Sequence, residues 1–205
     1  DKTLFSPARR DRVWLRERYG IPADRPVLLF AGRVDQSKRV LTTAETARRL
    51  LDEGHDLHLL VAGEGSETGT ITDMLGERAT LTGNLAQTDL ATLMASGDLF
   101  VFPSESEIVG NVVIEAKASG LPVIVTGGAT TAQLITSPGF DGILSRNRSV
   151  EAYVNATRRL LADPARRRRI GNNARICIEE TWPDWTDVLA EDLLSVWQKV
   201  WKAHH

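Results

Sequence analysis

The chain has 205 residues, enough for one domain or for a domain with a helical appendage. It carries 25 Lys and Arg residues against 27 Asp and Glu residues, and the net charge of −2 excludes a nucleic-acid or anionic-membrane binder that works by bulk positive charge. A hydrophobic content of 42% is ordinary for a globular protein and too high for a disordered one. The one cysteine, Cys177, excludes a disulfide scaffold and fits a reducing compartment.

The ends of the chain carry no recognisable targeting segment. The longest apolar runs fall far short of the roughly 20 residues that a membrane span needs, so we predict a cytoplasmic protein. The chain begins at Asp1 rather than at a methionine, which suggests a piece of a longer protein, and His204 and His205 resemble the remnant of a purification tag. Because the two other histidines, His55 and His58, have no third ligand beside them, we predict no metal site.

Strand-like and helix-like segments alternate along the chain. Short continuous apolar runs predict strands covered on both faces, whereas apolar residues at helical spacing that end near a glycine predict helices. In chain order the predicted elements are a helix over 9–19, a strand over Val27–Ala31, a helix over Leu41–Glu53, a strand over Leu57–Ala62, a helix over Thr70–Leu75, a strand over Thr80–Thr82, a helix over Gln87–Ala95, a strand over Leu99–Phe102, a helix over Asn111–Ser119, strands over Pro122–Val125 and Gly142–Leu144, and helices over 150–162, 164–180 and 185–201.

This alternation predicts an α/β fold with a Rossmann-like, doubly wound parallel sheet of about six strands. We divide the chain into a linker and short helix (1–24), the Rossmann-like domain (25–162), C-terminal helices (163–203) and the tag remnant (204–205). The last helix has more apolar surface than one contact needs, so it packs either on this sheet or on a domain that is missing. Its apolar residues are Trp185, Val188, Leu189, Leu193, Val196, Trp197, Val200 and Trp201.

The loop after the first strand contains two cations that could bind one anion. Arg33 and Lys38 are five residues apart in GRVDQSK, and two such cations can converge on a diphosphate, Arg through its planar fork and Lys as a point charge. The loop is not a Walker A loop, because Lys38 lacks the flanking Gly and Ser or Thr. Taken alone, the pattern is equally compatible with two solvated surface cations.

The loop after the second strand is rich in glycine but does not match a dinucleotide fingerprint. It has the spacing G-x-G-x-x-x-G over Gly63–Gly69, one residue too long, and no acidic residue follows at the expected distance. We therefore predict that these glycines let the chain turn close to a ligand or to a neighbouring strand.

The loop before the helix at Asn111 carries two acidic residues at a suggestive spacing. Glu107 lies on the loop and Glu115 about one turn into the helix, so both could face a cavity at the helix N-terminus. Free amides near Gly110–Val112 would point at an anion there, and a carboxylate that accepts two hydroxyl hydrogens suits sugar or ribose recognition. The alternative is that both carboxylates only favour the helix N-terminus electrostatically.

Four segments, in this order, closely resemble the carboxyl-terminal domain of retaining glycosyltransferases of family 4. They are FAGRVDQSKR, VAGEGSE, LTGNLAQTDLATLMASGDLFVFPSESE and GNVVIEAKASGLPVIVTGGA. Enzymes of this family have the GT-B architecture, in which two Rossmann-like domains face each other. The spacing Glu107-x7-Glu115 matches the family's E-x7-E motif, the opening DKTLFSP resembles the segment after the interdomain linker, and the resemblance extends to about residue 201.

The resemblance implies a role for each matching position. Arg33 and Lys38 would hold the diphosphate of a nucleotide-sugar, Glu107 the hydroxyls of the transferred sugar, and Glu115 the ribose hydroxyls. Leu85 would lie against the base, and amides at the helix N-terminus would complete the cradle. The implied catalytic residues are Glu107, Arg33 and Lys38, and the implied donor-binding residues are Gly32, Arg33, Lys38, Leu85, Glu107, Val109, Gly110, Asn111, Val112 and Glu115.

Two positions depart from the family pattern. Ile108-Val109 stands where the family usually has Thr-Phe or Gly-Phe, which would reshape the sugar pocket. Lys117 replaces an apolar residue of the usual E-A-M-A, and we expect it either on the exposed face of the helix or near the nucleotide.

The resemblance implies the donor half of a hexosyltransferase, one that transfers mannosyl or glucosyl from a UDP- or GDP-sugar to a glycolipid or polysaccharide precursor. It needs no metal and no cofactor besides the donor, because the cations and the helix dipole would neutralise the leaving diphosphate. Its partner would be the missing N-terminal domain, which supplies the acceptor site, a catalytic histidine and any peripheral contact with the cytoplasmic face of a membrane. A nucleic acid is not an expected partner. The alternatives are a GT-B-like sugar-nucleotide epimerase and a non-catalytic nucleotide-binding module.

Overall fold

A computed structural model describes residues 1–105, 107–183 and 188–204 of the chain. The described residues form a sheet of six parallel strands in the order β3-β2-β1-β4-β5-β6. The strands are β1 (Val27–Ala31), β2 (His58–Ala62), β3 (Ala79–Leu81), β4 (Leu99–Phe102), β5 (Val123–Thr126) and β6 (Ile143–Ser145). The predicted α/β fold with a doubly wound parallel sheet is therefore confirmed.

Helices connect the strands and cover the sheet. They are α1 (Arg12–Tyr19), α2 (Val40–Asp52), α3 (Thr68–Leu75), α4 (Gln87–Ser96), α5 (Asn111–Ala118), α6 (Val150–Ala162), α7 (Pro164–Thr181) and α8 (Leu194–His204). A 3-10 turn over Gln36–Lys38 precedes α2, and a π-helical segment over Val188–Leu193 precedes α8. Helix α1 is shorter than predicted because Asp11 Oδ1 accepts a hydrogen bond from Trp14 N at 2.8 Å and caps the helix there.

The core lies on both faces of the four central strands. Every residue of β1, β2, β4 and β5 is buried, which explains why these strands are continuous apolar runs rather than alternating ones. Each fully buried Leu or Phe contributes about 1.5–3 kcal/mol to folding. The central sheet is thus a rigid base for the loops at its carboxyl edge.

The strand order reverses between β1 and β4. Strand β1 pairs with β2 on one side and with β4 on the other, and the chain then continues outward to β3 and to β6. In open α/β sheets the crevice beyond the carboxyl ends of the strands at such a reversal is where ligands bind. The loops after β1 and β4, which carry Arg33, Lys38 and Glu107, flank this crevice.

The C-terminal helices divide into a packed part and an exposed part. Helix α6 packs against α2, and α7 packs against α5. By contrast, apolar side chains of the π-helical segment and of α8 are exposed, among them Leu189, Leu193, Val196 and Trp197. Trp185 lies outside the described residues. None of the described helices combines the length and the apolar composition that crossing a membrane would require.

Candidate functional site

An ion pair joins the loops after β1 and β4 at the strand-order reversal. Lys38 Nζ lies 2.5 Å from Glu107 Oε1, and the same oxygen accepts a hydrogen bond from Ser104 Oγ at 2.7 Å. The two side chains are only 15% and 16% exposed. The structure therefore brings together two of the predicted site residues, and the partly buried setting strengthens their attraction relative to a surface pair.

Arg33 makes no contact with this ion pair among the described residues. Its side chain is 69% exposed, and it contacts Asp35 Oδ2 at 3.2 Å and Ser37 Oγ at 3.1 Å within its own loop. Asp35 also caps the 3-10 turn by accepting a hydrogen bond from the Lys38 amide. The hydrogen bond from Ser37 Oγ, with smaller contributions from the Lys38 amide and from the charge of Arg33, lowers the pKa of this carboxyl. The loop is thus internally braced, and the two predicted diphosphate cations have different partners, Asp35 and Ser37 for Arg33 and Glu107 for Lys38.

A cavity of about 440 Å³ opens at the carboxyl edge beside β1, β2 and β3. Among the predicted residues, Gly32, Arg33, Leu85 and Val112 line it, whereas Lys38, Glu107 and Glu115 do not. The lining residues are Ala31, Gly32, Arg33, Ala62, Gly63, Glu64, Asn84, Leu85, Leu90 and Val112. This cavity has room for a nucleoside, and its walls combine apolar side chains such as Leu85 and Leu90 with polar ones.

The sequence analysis missed two polar residues of this cavity. Glu64 and Asn84 follow β2 and β3, and the amide of Asn84 donates to Glu64 Oε1 at 3.4 Å. The signal that could have found them is their position directly after two strands of the same sheet edge, since carboxyl ends of parallel strands meet there.

The glycines after β2 let two loops pass each other closely. Gly63 has a φ of 133°, and a Cβ there would lie 1.9 Å from the carbonyl oxygen of Gly32. A Cβ on Gly65 would lie 2.2 Å from the carbonyl oxygen of Val34, whose amide donates to Glu64 O at 2.8 Å. Of the two predicted uses of this loop, the structure supports a close approach to a neighbouring segment.

The N-terminus of α5 is open toward the loop that carries Glu107. Gly110 has a φ of 73° and turns the chain into the helix, which begins at Asn111 without a side-chain cap. The first-turn amides of Asn111 and Val112 have no backbone acceptor among the described residues, as expected at a helix start. Just before this turn Ile108 is 95% exposed and Val109 is exposed as well, so both are free to contact a ligand or another domain.

Glu115 lies one turn into α5 and is half-buried. Burial raises the pKa of its carboxyl above the ordinary value. A half-buried carboxylate that makes no hydrogen bond to any described residue is well suited to accept hydroxyl hydrogens from a ligand. The two carboxylates of the E-x7-E motif therefore differ, since Glu107 is already ion-paired and Glu115 is not.

The expectation for Lys117 was wrong. Its side chain is completely buried, 2.8 Å from Asp141 Oδ2, and it also donates to the carbonyl oxygen of Leu134 at 2.5 Å. Burial favours the neutral form of Asp141, but hydrogen bonds from Lys117, Ser137 N and Thr136 N outweigh it and lower the pKa of this carboxyl. Lys117 thus fastens the 134–141 segment to α5 instead of lying on the surface or beside a nucleotide.

Within the described residues, no three side chains of His, Cys, Asp or Glu are grouped as a metal ion would require. The positive groups at the carboxyl edge include Lys38, Arg33 and the N-terminus of α5. Together with the cavity, they form a site that is chemically suited to a phosphorylated, hydroxyl-rich ligand.

Comparison with known proteins places the chain in a family. The model of the family described as "Glycosyl transferases group 1" matches residues 12–176. A GDP-mannose-dependent alpha-mannosyltransferase from Mycolicibacterium smegmatis is 34% identical over 202 residues, which is 98% of this chain and 50% of that protein. The chain covers still less of other curated relatives, 36% to 45% of their lengths.

Solved structures agree on the fold. A sucrose-phosphate synthase from Thermosynechococcus elongatus superposes with a TM-score of 0.83 at 26% identity, over 99% of this chain and 51% of that one. HepE from Anabaena, in complex with UDP and glucose, superposes with a TM-score of 0.75 at 19% identity, over 99% of this chain and 54% of that one. The chain spans about half the length of these proteins, and it belongs to the group 1 glycosyl transferase family.

Proposed function

We propose that this chain is the donor-binding half of a retaining glycosyltransferase that transfers a hexosyl group from a UDP- or GDP-sugar. The observation that carries the proposal is the Lys38–Glu107 ion pair at the strand-order reversal, beside the open N-terminus of α5. A cation and a carboxylate held together there supply one contact for a diphosphate and one for a sugar hydroxyl.

In this proposal the donor replaces an existing contact rather than filling an unused one. The diphosphate takes over Lys38, and Glu107, which keeps its hydrogen bond from Ser104, turns its free oxygen to the sugar hydroxyls. The ion pair holds both side chains near their working positions before the donor arrives, which reduces the entropy lost on binding. Arg33 completes the diphosphate contact by leaving Asp35.

The remaining predicted residues take the other parts of the donor. The cavity lined by Leu85 and Asn84 takes the base, and the free carboxylate of Glu115 accepts the ribose hydroxyls. Amides at Val109, Gly110, Asn111 and Val112 complete the cradle at the N-terminus of α5. The backbone of Gly32 allows close approach at the cavity wall.

Sugar transfer in this proposal requires the site to stabilise the diphosphate as it leaves. When the bond between the anomeric carbon and the diphosphate oxygen breaks, negative charge grows on the leaving group. Lys38, Arg33 and the positive end of the α5 dipole neutralise that charge without a metal ion, while Glu107 holds the sugar in place.

The relatives support both nucleotides without choosing between them. The mannosyltransferase is named for GDP-mannose, and the HepE structure contains UDP and glucose. Because the chain spans about half of these proteins, we propose that a second domain supplies the acceptor site and that the chain alone transfers little sugar. We propose a cytoplasmic location for the whole enzyme, with any membrane contact made by that second domain.

The test separates the two carboxylates by ligand. We would measure binding of UDP, GDP and their hexose conjugates by titration calorimetry. Glu115→Ala should lose about 1–3 kcal/mol of binding free energy for the nucleotide and for the nucleotide-sugar alike, because both contain the ribose. Glu107→Ala should weaken only the nucleotide-sugar, and affinity for the bare nucleotide should stay equal or rise because Lys38 loses its competing carboxylate.

The control is Asp73→Ala, which removes an exposed carboxylate on α3. If both glutamates only favour the helix N-terminus, their variants will bind every ligand like the wild type and lose only a few tenths of a kcal/mol of stability. Identical ligand profiles for Glu107→Ala and Glu115→Ala would contradict the proposed roles.

A further inference from the structure

A second set of charges lies beside the Lys38–Glu107 pair and joins three loops. Arg39 Nη1 lies 2.5 Å from Glu105 Oε1, and Arg39 Nη2 donates to the carbonyl oxygen of Arg148 at 2.7 Å. Arg148 Nε contacts the other oxygen of Glu105 at 2.9 Å. We call Arg39, Glu105 and Arg148 the loop clamp, since they come from the loops after β1, β4 and β6.

The backbone at Arg39 is unusual. Its φ is 53° and its ψ is 34°, and it is the one residue other than glycine with a positive φ in the described part of the chain. An arginine is uncommon in this left-handed region, where steric contacts of Cβ disfavour it. A residue held there by its surroundings is a reason to look for a functional constraint.

This left-handed turn sends two successive cations to two acidic residues of the opposite loop. Lys38 reaches Glu107, and Arg39 reaches Glu105, two residues earlier. The first contact must open when a diphosphate takes Lys38, whereas nothing in donor binding requires the second to open. The clamp can therefore keep the two loops at a fixed separation throughout.

We propose that Arg39 is a positioning residue, which through the loop clamp holds Lys38 and Glu107 at the separation that donor binding needs. This inference rests on the proposed function. Arg39 itself touches no ligand in this arrangement, so its effect on affinity must pass through Lys38 and Glu107. If the two loops also adopted other separations, the apparent affinity for the donor would fall in proportion to the fraction of molecules that have the separation needed for binding.

The experiment is a double-mutant cycle on the 205-residue chain with UDP and GDP as probes. We expect Arg39→Ala to lower the affinity for the nucleotide that the wild type binds by about tenfold. A tenfold loss corresponds to about one tenth of the molecules having their loops at the separation that binding needs. In a Lys38→Ala background the same change should have little effect, because the residue that it positions is gone. Arg39→Lys should restore part of the affinity, since it keeps one charge-assisted contact to Glu105.

Two further variants separate positioning from a loss of folding. Arg39→Gly removes the side-chain contacts of the clamp, and glycine adopts the left-handed backbone conformation without strain. This variant should therefore keep its thermal unfolding temperature and nevertheless bind the nucleotide weakly. Arg48→Ala, which removes an arginine that pairs with Glu45 and Asp52 on α2, is the matched control and should bind like the wild type.

The outcomes of this experiment are distinct. If the wild type binds neither UDP nor GDP, the proposed function fails at the first titration and the inference fails with it. If the wild type binds and both Arg39→Gly and Arg39→Ala bind as tightly as the wild type, only the inference is overturned. Equal losses with and without Lys38 would also overturn it, because they would mean a general structural role.

Discussion

At the scale of single residues, the site depends on charges that are distant in sequence. Lys38 and Glu107 are 69 positions apart, and they meet only because β1 and β4 are neighbours at the strand-order reversal. In the ligand-free chain each satisfies the other, so neither is an isolated charge that would cost free energy to hold in a partly buried place. A diphosphate must therefore compete with Glu107 for Lys38.

Replacing Lys38 should discriminate between ligands by their phosphates. A charge-assisted contact contributes about 1.5–3 kcal/mol to binding, so Lys38→Ala should lower the affinity for UDP or GDP by about 10- to 150-fold. Affinity for the plain nucleoside should barely change, because the base and ribose contacts remain. Calorimetry with nucleotide and nucleoside measures both, and Lys199→Ala on the exposed side of α8 is the control. Equal losses for both ligands would mean damage to the fold.

His58 should make the stability of the protein depend on pH. Burial, with smaller contributions from the charges of Arg25 and Arg78, lowers the pKa of this imidazole to about 4 from 6.5. The neutral ring is held by a 2.8 Å hydrogen bond to Thr80 Oγ1. Because the unfolded chain binds a proton near pH 6.5 and the folded chain does not, the free energy of unfolding is unaffected above that pH and falls below it. The loss should reach about 2 kcal/mol at pH 5.

Urea unfolding at pH 7.5 and at pH 5 checks this prediction. His58→Asn keeps a polar side chain beside Thr80 but cannot titrate, so its stability should fall less between the two pH values than that of the wild type. Parallel losses in the two proteins would show that His58 does not cause the pH dependence.

Residues that belong to sequence motifs could be proposed as site residues, whereas residues whose position depends on a distant interaction partner could not be predicted. Arg33, Lys38, Glu107 and Glu115 could be predicted because strand ends and motif spacing mark them. The buried Lys117 could not, because its partner Asp141 lies 24 positions away in an irregular segment. Charge alone indicated a surface residue, and only packing against α7 and the 134–141 segment makes the buried pair possible.

At the scale of elements, continuous apolar runs were sufficient to predict the sheet. Strands β1 and β4 begin and end where the sequence predicted, β2 begins one residue later, and β3, β5 and β6 are each shifted by one residue at both ends. The runs are informative because helices cover both faces of a parallel sheet. The separation of the loops at the carboxyl edge was not predictable, since it depends on glycines that allow one loop to cross another.

Replacing each of two glycines that follow β2 with alanine should change the free energy of unfolding in opposite directions. Gly63→Ala would place a Cβ 1.9 Å from the carbonyl oxygen of Gly32 at a φ of 133°, so the loop would have to move. We expect a loss of at least about 2 kcal/mol in the free energy of unfolding, together with weaker nucleotide binding. Gly69→Ala lies within α3 with nothing near its Cβ, so it should stabilise by about 0.4–1 kcal/mol.

Chemical denaturation of the two variants measures this difference, and nucleotide titration shows whether the cavity survives. Since both changes add the same methyl group, one in the loop after β2 and one in the first turn of α3, a shared direction of effect would contradict the crossing of the loops at Gly32 and Gly63.

At the scale of the whole molecule, the chain has surfaces that its own sheet does not cover. The sequence left open whether the last helix packs on this sheet or on a missing domain. Val196 and Trp197 are more than half exposed, and so are Ile108, in the loop before α5, and Phe140, in the segment before β6. The chain spans about half the length of its relatives, and exposed apolar side chains of this kind are typical of surfaces that contact another protein segment.

Donor binding should nevertheless be a property of this half alone, and it should not need Mg²⁺. The charge of a nucleoside diphosphate is balanced here by Lys38, Arg33 and the roughly half charge at the N-terminus of α5. Calorimetric affinities for UDP or GDP in EDTA and in Mg²⁺ should therefore agree within a few-fold. Magnesium should weaken binding slightly, if at all, because it competes with Lys38 for the same phosphate oxygens. Binding that appears only with Mg²⁺ would mean that these two side chains and the helix do not neutralise the diphosphate.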